Sequence, residues 1–149
     1  MIMEVKRILL VEDSPKDIEL MLTALKECNL GNEVDVAQDG QEALDYLNRV
    51  SPYDKRPEGN PAVVLLDLKL PKVDGFEVLR RIRNDNRLKR IPVVILTSSF
   101  ENRDVLASYE LGVNAYVVKP LDFEQFFAAI KKLGVFWAVI NQPPSMSVS

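Results

Sequence analysis

The sequence predicts an α/β fold: a three-layer α/β/α sandwich around a five-stranded parallel sheet in the order 2-1-3-4-5. Three observations carry that expectation. Ile8-Leu9-Leu10-Val11, Val63-Val64-Leu65-Leu66 and Val93-Val94-Ile95-Leu96 are unbroken apolar runs. Such runs suit parallel strands covered on both faces, whereas a half-exposed strand alternates apolar and polar residues. These runs and two weaker ones are separated by stretches of helical periodicity, which gives successive β-α units joined by right-handed crossovers. The proposed order puts the most apolar strands inside, the alternating second strand at an edge, and a topological switch point between strands one and three.

The chain has 149 residues, the usual size of one domain, with 47% hydrophobic and 28% charged residues and a net charge of -3. We expect a single domain over residues 1–141 and a disordered tail over 142–149. The charge balance provides no basic field for wrapping nucleic acid. With one cysteine, Cys28, and no histidine, an intramolecular disulfide, a Cys/His metal site and histidine-dependent catalysis are all excluded. No apolar run approaches a membrane span and the charged N-terminus lacks a signal-peptide core, so the expected location is cytoplasmic, with no membrane partner.

In chain order, the first strand ends in Glu12-Asp13. Ser14-Pro15 then reads as N-cap and first helical residue, with Asp17 near the helix start, where its charge favours the macrodipole. Ile18, Met21, Leu22 and Leu25 recur at helical spacing to about Cys28, and Gly31 closes the turn. Val34, Val36 and Ala37 form the edge strand. Asp39 caps a second helix expected to run through Val50, with Glu42 as its acidic third position. Residues 51–61, with Pro52, Pro57, Gly59 and Pro61, form a surface loop longer than most; a contact surface is one reading and a tolerated insertion the commoner one. Pro71-Lys72-Val73-Asp74-Gly75 turns into a third helix with Phe76, Leu79 and Ile82 inward and Arg80, Arg81 and Arg83 as a solvated face. A weaker fourth helix from Glu101 stops at Gly112. Ala115-Tyr116-Val117-Val118 is the last strand, and Asp122 caps a fifth helix reaching about Ile140.

The strand ends carry Glu12 and Asp13, then Asp67, Thr97 and Lys119, and in this topology all converge on one crevice. Singly, each has a bland explanation: helix-capping charge, a turn-forming aspartate, a strand-end threonine, a solvated lysine. Jointly they do not. Three close carboxylates are costly to hold ionised without a cation, and an all-oxygen site with room for water suits Mg²⁺, whose shell a phosphate oxygen commonly completes. Lys119 and Thr97 add the positive charge and hydroxyl that a phosphoryl group on Asp67 would need.

Leu10-Val11-Glu12-Asp13, Leu65-Leu66-Asp67-Leu68-Lys69-Leu70-Pro71-Lys72-Val73-Asp74-Gly75, Leu96-Thr97-Ser98 and Tyr116-Val117-Val118-Lys119-Pro120 together resemble the receiver domain of two-component response regulators, a CheY-like, flavodoxin-like fold. The match spans residues 6 to about 133. The resemblance implies that Asp67 is the phosphoacceptor and that Asp13, Asp67 and the Lys69 main-chain carbonyl ligate Mg²⁺, with Glu12 reaching it through water. It also implies that Thr97 and Lys119 bind phosphoryl oxygens, that Pro120 follows a cis peptide, and that Tyr116 changes rotamer on activation. Lys69 departs from the often neutral residue of the family and, with Ser99, unsettles any inherited dephosphorylation rate. The loop at 51–61, the stretch 88–93 and the tail from Phe136-Trp137 resemble single-domain regulators that partner bacterial phytochrome histidine kinases. The alternative is a stand-alone receiver serving a non-light sensor kinase, or a phosphorelay intermediate.

The implied protein is a phosphoacceptor in a phosphorelay rather than an enzyme acting on a separate substrate. It would catalyse its own phosphotransfer and aspartyl-phosphate hydrolysis, and would signal through protein contacts. A flavin protein of the same fold is disfavoured, because Glu12-Asp13-Ser14-Pro15 would repel a phosphate where a hydroxyl- and glycine-rich loop is needed. A degenerate receiver is disfavoured by the intact set of site residues. The fifth helix carries apolar residues on both sides and ends in Phe136-Trp137, which leads us to expect a homodimer through strand five and helix five with those aromatics as anchors.

Overall fold

The computed structural model describes residues 7–27, 34–56, 59–119, 124 and 128. Its elements in order are β1 (Ile8–Val11), α1 (Pro15–Glu27), β2 (Val34–Ala37), α2 (Gly40–Asn48), β3 (Val63–Leu66), α3 (Gly75–Asn84), β4 (Val93–Thr97), α4 (Asn102–Glu110) and β5 (Ala115–Val118). All strand pairs are parallel and the order is β2-β1-β3-β4-β5, as the sequence predicts. Of the expected fifth helix only residues 124 and 128 are described, both helical, and the Lys119-Pro120 peptide, Phe136, Trp137, the turn around Gly31 and the tail lie outside the described residues. Among the described residues no helix is long and apolar enough to cross a membrane.

Side chains alternate across the pleat. Leu9, Val11, Val64, Leu66 and Ile95 face α2 and α3, meeting Leu44, Leu47, Val78, Leu79 and Ile82. Ile8, Leu10, Val63, Leu65 and Leu96 face the other way, against Met21 and Leu25 of α1. Two separate cores therefore clamp one sheet, which is why β1, β3 and β4 are buried at every position while the edge strand β2 is only partly covered.

The predicted caps at Ser14 and Asp39 form, Ser14 Oγ accepting from the Asp17 amide (3.3 Å) and Asp39 from Glu42 (2.7 Å), and Asp74 caps α3 in the same way, accepting from Glu77 (2.9 Å). The second helix stops at Asn48, short of the expected Val50, because Arg49 turns left-handed (φ 59°) and its amide bonds back to Tyr46 O. Arg83 corrects the expected solvated face. Its guanidinium donates to Gly112 O (2.8 Å), Ile91 O (2.7 Å), Lys89 O (3.2 Å) and Asn114 Oδ1 (2.8 Å), tying the end of α3 to the turns flanking β4 and β5. Arg80 and Arg81 do point outward, both pairing with Glu77.

The long loop is stitched onto α2. Tyr53 packs edge-on against Tyr46 (5.3 Å between centroids) and donates to Glu42, while the Arg56 guanidinium lies 4.3 Å over the Tyr46 ring. Tyr46 in turn donates to Asp35, which Arg7 grips in a bidentate pair at 2.6 Å. Burial and the Asp35 bond push the Tyr46 phenol up to about 12, so it remains a donor. The Arg7 hydrogen bonds hold Asp35 below the ordinary carboxylate range, against the opposing effect of burial. A depressed carboxylate stabilises the fold above its unfolded pKa and loses that contribution as pH falls through the folded value. Arg7→Ala is therefore expected to move the acid-unfolding midpoint to higher pH, as followed by circular dichroism, and an unmoved midpoint would refute the coupling.

Candidate functional site

The site begins with register. Val11 pairs with Leu66 across β1 and β3, so the residues that follow, Glu12-Asp13 and Asp67, leave the sheet side by side. The Asp67 amide donates to Val11 O (3.1 Å) and the Glu12 amide to Ala37 O (2.9 Å), extending the ladders one residue past the strands. On the far side Thr97 pairs with Val118, and the Lys119 amide donates to Thr97 O at 2.7 Å. The switch point therefore gathers the acidic residues, and the β4-β5 ladder aims Lys119 at them.

Carboxylate oxygens of Glu12, Asp13 and Asp67 lie within 4.8 Å of one another. Glu12 and Asp67 are buried while Asp13 is exposed, which leaves one open side to the cluster. Lys119 Nζ enters from the other side, 2.5 Å from Glu12 Oε1, 2.9 Å from Asp17 Oδ2 and 3.3 Å from Asp67 Oδ2. Burial pushes Glu12 up, as does the charge of Asp67, with Lys119 opposing both. Burial alone would push Lys119 down, but its hydrogen bonds to Glu12 and Asp17 outweigh that and raise it, so the ammonium persists. A buried carboxylate still pushed up despite a bonded lysine marks a centre where a further cation is favourable. Three carboxylates with one solvent-facing side match the oxygen-rich, water-retaining coordination of Mg²⁺ and Mn²⁺.

Lys69 donates its amide to Asp67 Oδ1 (3.3 Å) and turns its side chain to solvent, so its backbone lies against the Asp67 carboxylate. Thr97 is fully buried, its Oγ1 accepting from the Ser99 amide at 3.4 Å. Tyr116 is partly buried with its hydroxyl on Ser99 O (2.9 Å), and Ser99 Oγ donates to Asp104 Oδ2 (2.5 Å). The structure thus brings together Glu12, Asp13, Asp67 and Lys119, with Lys69, Thr97 and Tyr116 at the margin.

One contributor was missed: Asp17, read only as a dipole-favouring charge. No helical spacing links it to Asp13, since α1 begins only at Pro15, and its partner Lys119 lies 102 residues away.

Two glycines fix the loop behind Asp67. A Cβ on Gly75 would sit 2.2 Å from Asp67 O, and one on Gly40 1.7 Å from Val73 O. The Gly75 amide donates to Leu68 O (2.8 Å) and the Gly40 amide to Pro71 O (3.3 Å). In front, a cleft of ≈ 440 Å³ bordered by Asp13, Leu68, Lys69, Phe76, Arg103 and Asp104 opens beside the acidic cluster.

A doubly covered parallel sheet with an acidic switch-point cluster and a lysine delivered from the last strand defines a receiver. Residues 8–131 match the response regulator receiver domain family, and the chain belongs to it. It is 43% identical over 132 residues to response regulator Rcp1 of Synechocystis sp., covering 89% of this chain and 88% of that one. Among solved structures it is similar to the bacteriophytochrome response regulator RtBRR (62% identity, TM-score 0.84, covering 95% and 86%). It is likewise similar to the bacteriophytochrome response regulator AtBRR (64%, TM-score 0.84, covering 93% and 99%). The Mn²⁺-bound form of Rcp1 superposes with a TM-score of 0.75 at 40% identity, covering 97% of each chain.

Proposed function

We propose that this receiver takes a phosphoryl group onto Asp67 from the phosphohistidine of a sensor histidine kinase, and that the kinase is a bacterial phytochrome. The observation that carries the acceptor role is the clustering of Glu12, Asp13 and Asp67 around one point, with the Lys119 ammonium bonded to Asp67 as well as to Glu12 and Asp17. Asp13, Asp67 and the Lys69 main-chain carbonyl would hold Mg²⁺, with Glu12 reaching it through water. The bound ion would supply positive charge to the transferring oxygens. An Asp67 carboxylate oxygen attacks phosphorus in line, the P–N bond to the donor histidine breaks, and that histidine leaves. Lys119 and the Thr97 hydroxyl donate to the phosphoryl oxygens, so positioning and charge stabilisation suffice and no general base is required. Attack by water at the same phosphorus would later return the free carboxylate.

Occupation of the Thr97 hydroxyl would draw that side chain toward Asp67, and Tyr116 would leave Ser99 O to fill the space. This shifts a two-state equilibrium at β4 and α4. The phytochrome partner is supported by the similarity to RtBRR and AtBRR. A cytoplasmic location, where the kinase domain would act, fits this reading. A homodimer anchored by Phe136 and Trp137 would give the output surface its symmetry, and sedimentation that finds a monomer at tens of micromolar would remove that element.

Acetyl phosphate with Mg²⁺ is expected to label the protein once, at Asp67, as read by intact mass and peptide mapping. A label mapping elsewhere would overturn the assignment. Transfer profiling against the histidine kinases of the host should show fastest labelling by a phytochrome kinase, and equal rates from unrelated kinases would remove the light-linked part.

A further inference from the structure

Lys119 has three N–H donors, and all three are engaged, on Glu12, Asp17 and Asp67. The contact with Asp67, at 3.3 Å, is the longest of the three, and the one with Asp17, at 2.9 Å, is shorter. A phosphoryl oxygen on Asp67 lies further out than the carboxylate oxygen it is built on, so the ammonium must travel to meet it, and its bonds to Glu12 and Asp17 cannot both keep their resting lengths. Glu12, only 3% exposed in its side chain, loses a great deal if left unpaired, whereas Asp17, at 32%, is readily taken up by water. We infer that Asp17 is the exchangeable acceptor: it holds Lys119 in the resting protein and competes with the phosphoryl group for it, setting how readily Asp67 is phosphorylated. Asp17 is thus a positioning residue that acts through Lys119 and touches no reacting atom. This inference rests on the acceptor role of Asp67.

The geometry gives the sign. In the resting arrangement the ammonium sits among two non-reacting carboxylates, and moving it onto the phosphoryl group gives up one charge-assisted hydrogen bond. Removing Asp17 removes that loss, so a phosphoryl group or its mimic should bind more tightly, by the factor a partly exposed ion pair is worth, about three- to fivefold. Loss of a merely structural residue would weaken binding instead.

The test uses the full chain with Mg²⁺ and beryllium trifluoride, a phosphoryl mimic that adds to a carboxylate, followed by fluorine NMR. Phosphorylation by acetyl phosphate is measured in parallel; there an Asp67 O–P bond forms and the P–O bond to departing acetate breaks. Asp17→Asn and Asp17→Ser are both expected to raise mimic affinity about three- to fivefold and to lower half-saturation by acetyl phosphate, with little change in the maximal rate. In a Lys119→Gln background the same Asp17 changes should have no effect. Affinity unchanged or lowered by both Asp17 variants overturns the inference, and so does a gain that persists without Lys119, since Asp17 would then act on the anion directly. An Asp67→Asn control that still binds the mimic would instead overturn the acceptor assignment itself.

Discussion

Asp67→Asn is expected to abolish labelling by acetyl phosphate and, in the same variant, to raise the thermal midpoint of the metal-free protein. The two effects have one origin. Asp67 is 8% exposed and sits among Glu12 and Asp13, with carboxylate oxygens within 4.8 Å of one another. Two unit charges at about 4 Å interact by about 4 kcal/mol at an effective dielectric constant near 20. Lys119 offsets much of that repulsion, so we expect a net gain of about 1 kcal/mol. Lys119 and the Lys69 amide use different oxygens of Asp67, so asparagine keeps an acceptor for one of them while removing the charge and the nucleophile. Calorimetry with and without Mg²⁺ checks both halves: the variant should start higher and rise less on adding metal. Persistent labelling would sink the acceptor role, and a lowered metal-free midpoint would sink the account of the cluster as mutually repelling.

Lys119→Met reverses the stability sign while also impairing function. Glu12 would lose its 2.5 Å partner with a side chain only 3% exposed, and breaking a buried pair from one side costs about 3–5 kcal/mol. Labelling by acetyl phosphate should slow by about a hundredfold or more, the usual effect of removing one donor aimed at developing charge. The stability deficit carries its own pH signature. Burial already holds Glu12 above the ordinary carboxylate range, and loss of the lysine raises it further. An acid whose folded pKa is raised binds protons preferentially in the folded state, so the deficit should be largest at neutral pH and shrink as pH falls through that raised value. Denaturant titrations of wild type and variant across that range would show it, and a deficit that does not change with pH would mean Glu12 is not the group left stranded.

Much of this was readable in advance because parallel strands announce themselves. A strand covered on both faces has few polar positions, so the apolar runs 8–11, 63–66 and 93–96 stood out, and the first charged or hydroxylated residues beyond their ends marked the crevice. Helix starts were similarly local, since Ser14, Asp39 and Asp74 cap within three residues. The rest depends on partners distant along the chain. Asp17 meets Lys119 across 102 residues, and Arg83 reaches Gly112 and Asn114 about one crossover away. No period or spacing separates such an aspartate from a helix-capping charge, or such an arginine from its solvated neighbours Arg80 and Arg81. The early end of α2 was hidden for the same reason: Arg49 sits at φ 59°, a conformation its side chain does not favour, while its guanidinium holds Arg56 O across the loop.

The glycine contacts behind Asp67 give the site a direction of yielding. The 67–75 segment is wedged between the starts of α2 and α3 with no space for even a methyl group, whereas the opposite wall, Thr97 to Asp104, is held by single hydrogen bonds among Ser99, Asp104 and Tyr116. A push at the carboxylate therefore meets an anvil on one side and a set of exchangeable catches on the other. Strain introduced at Asp67 is expected to leave toward α4, whatever its orientation on arrival.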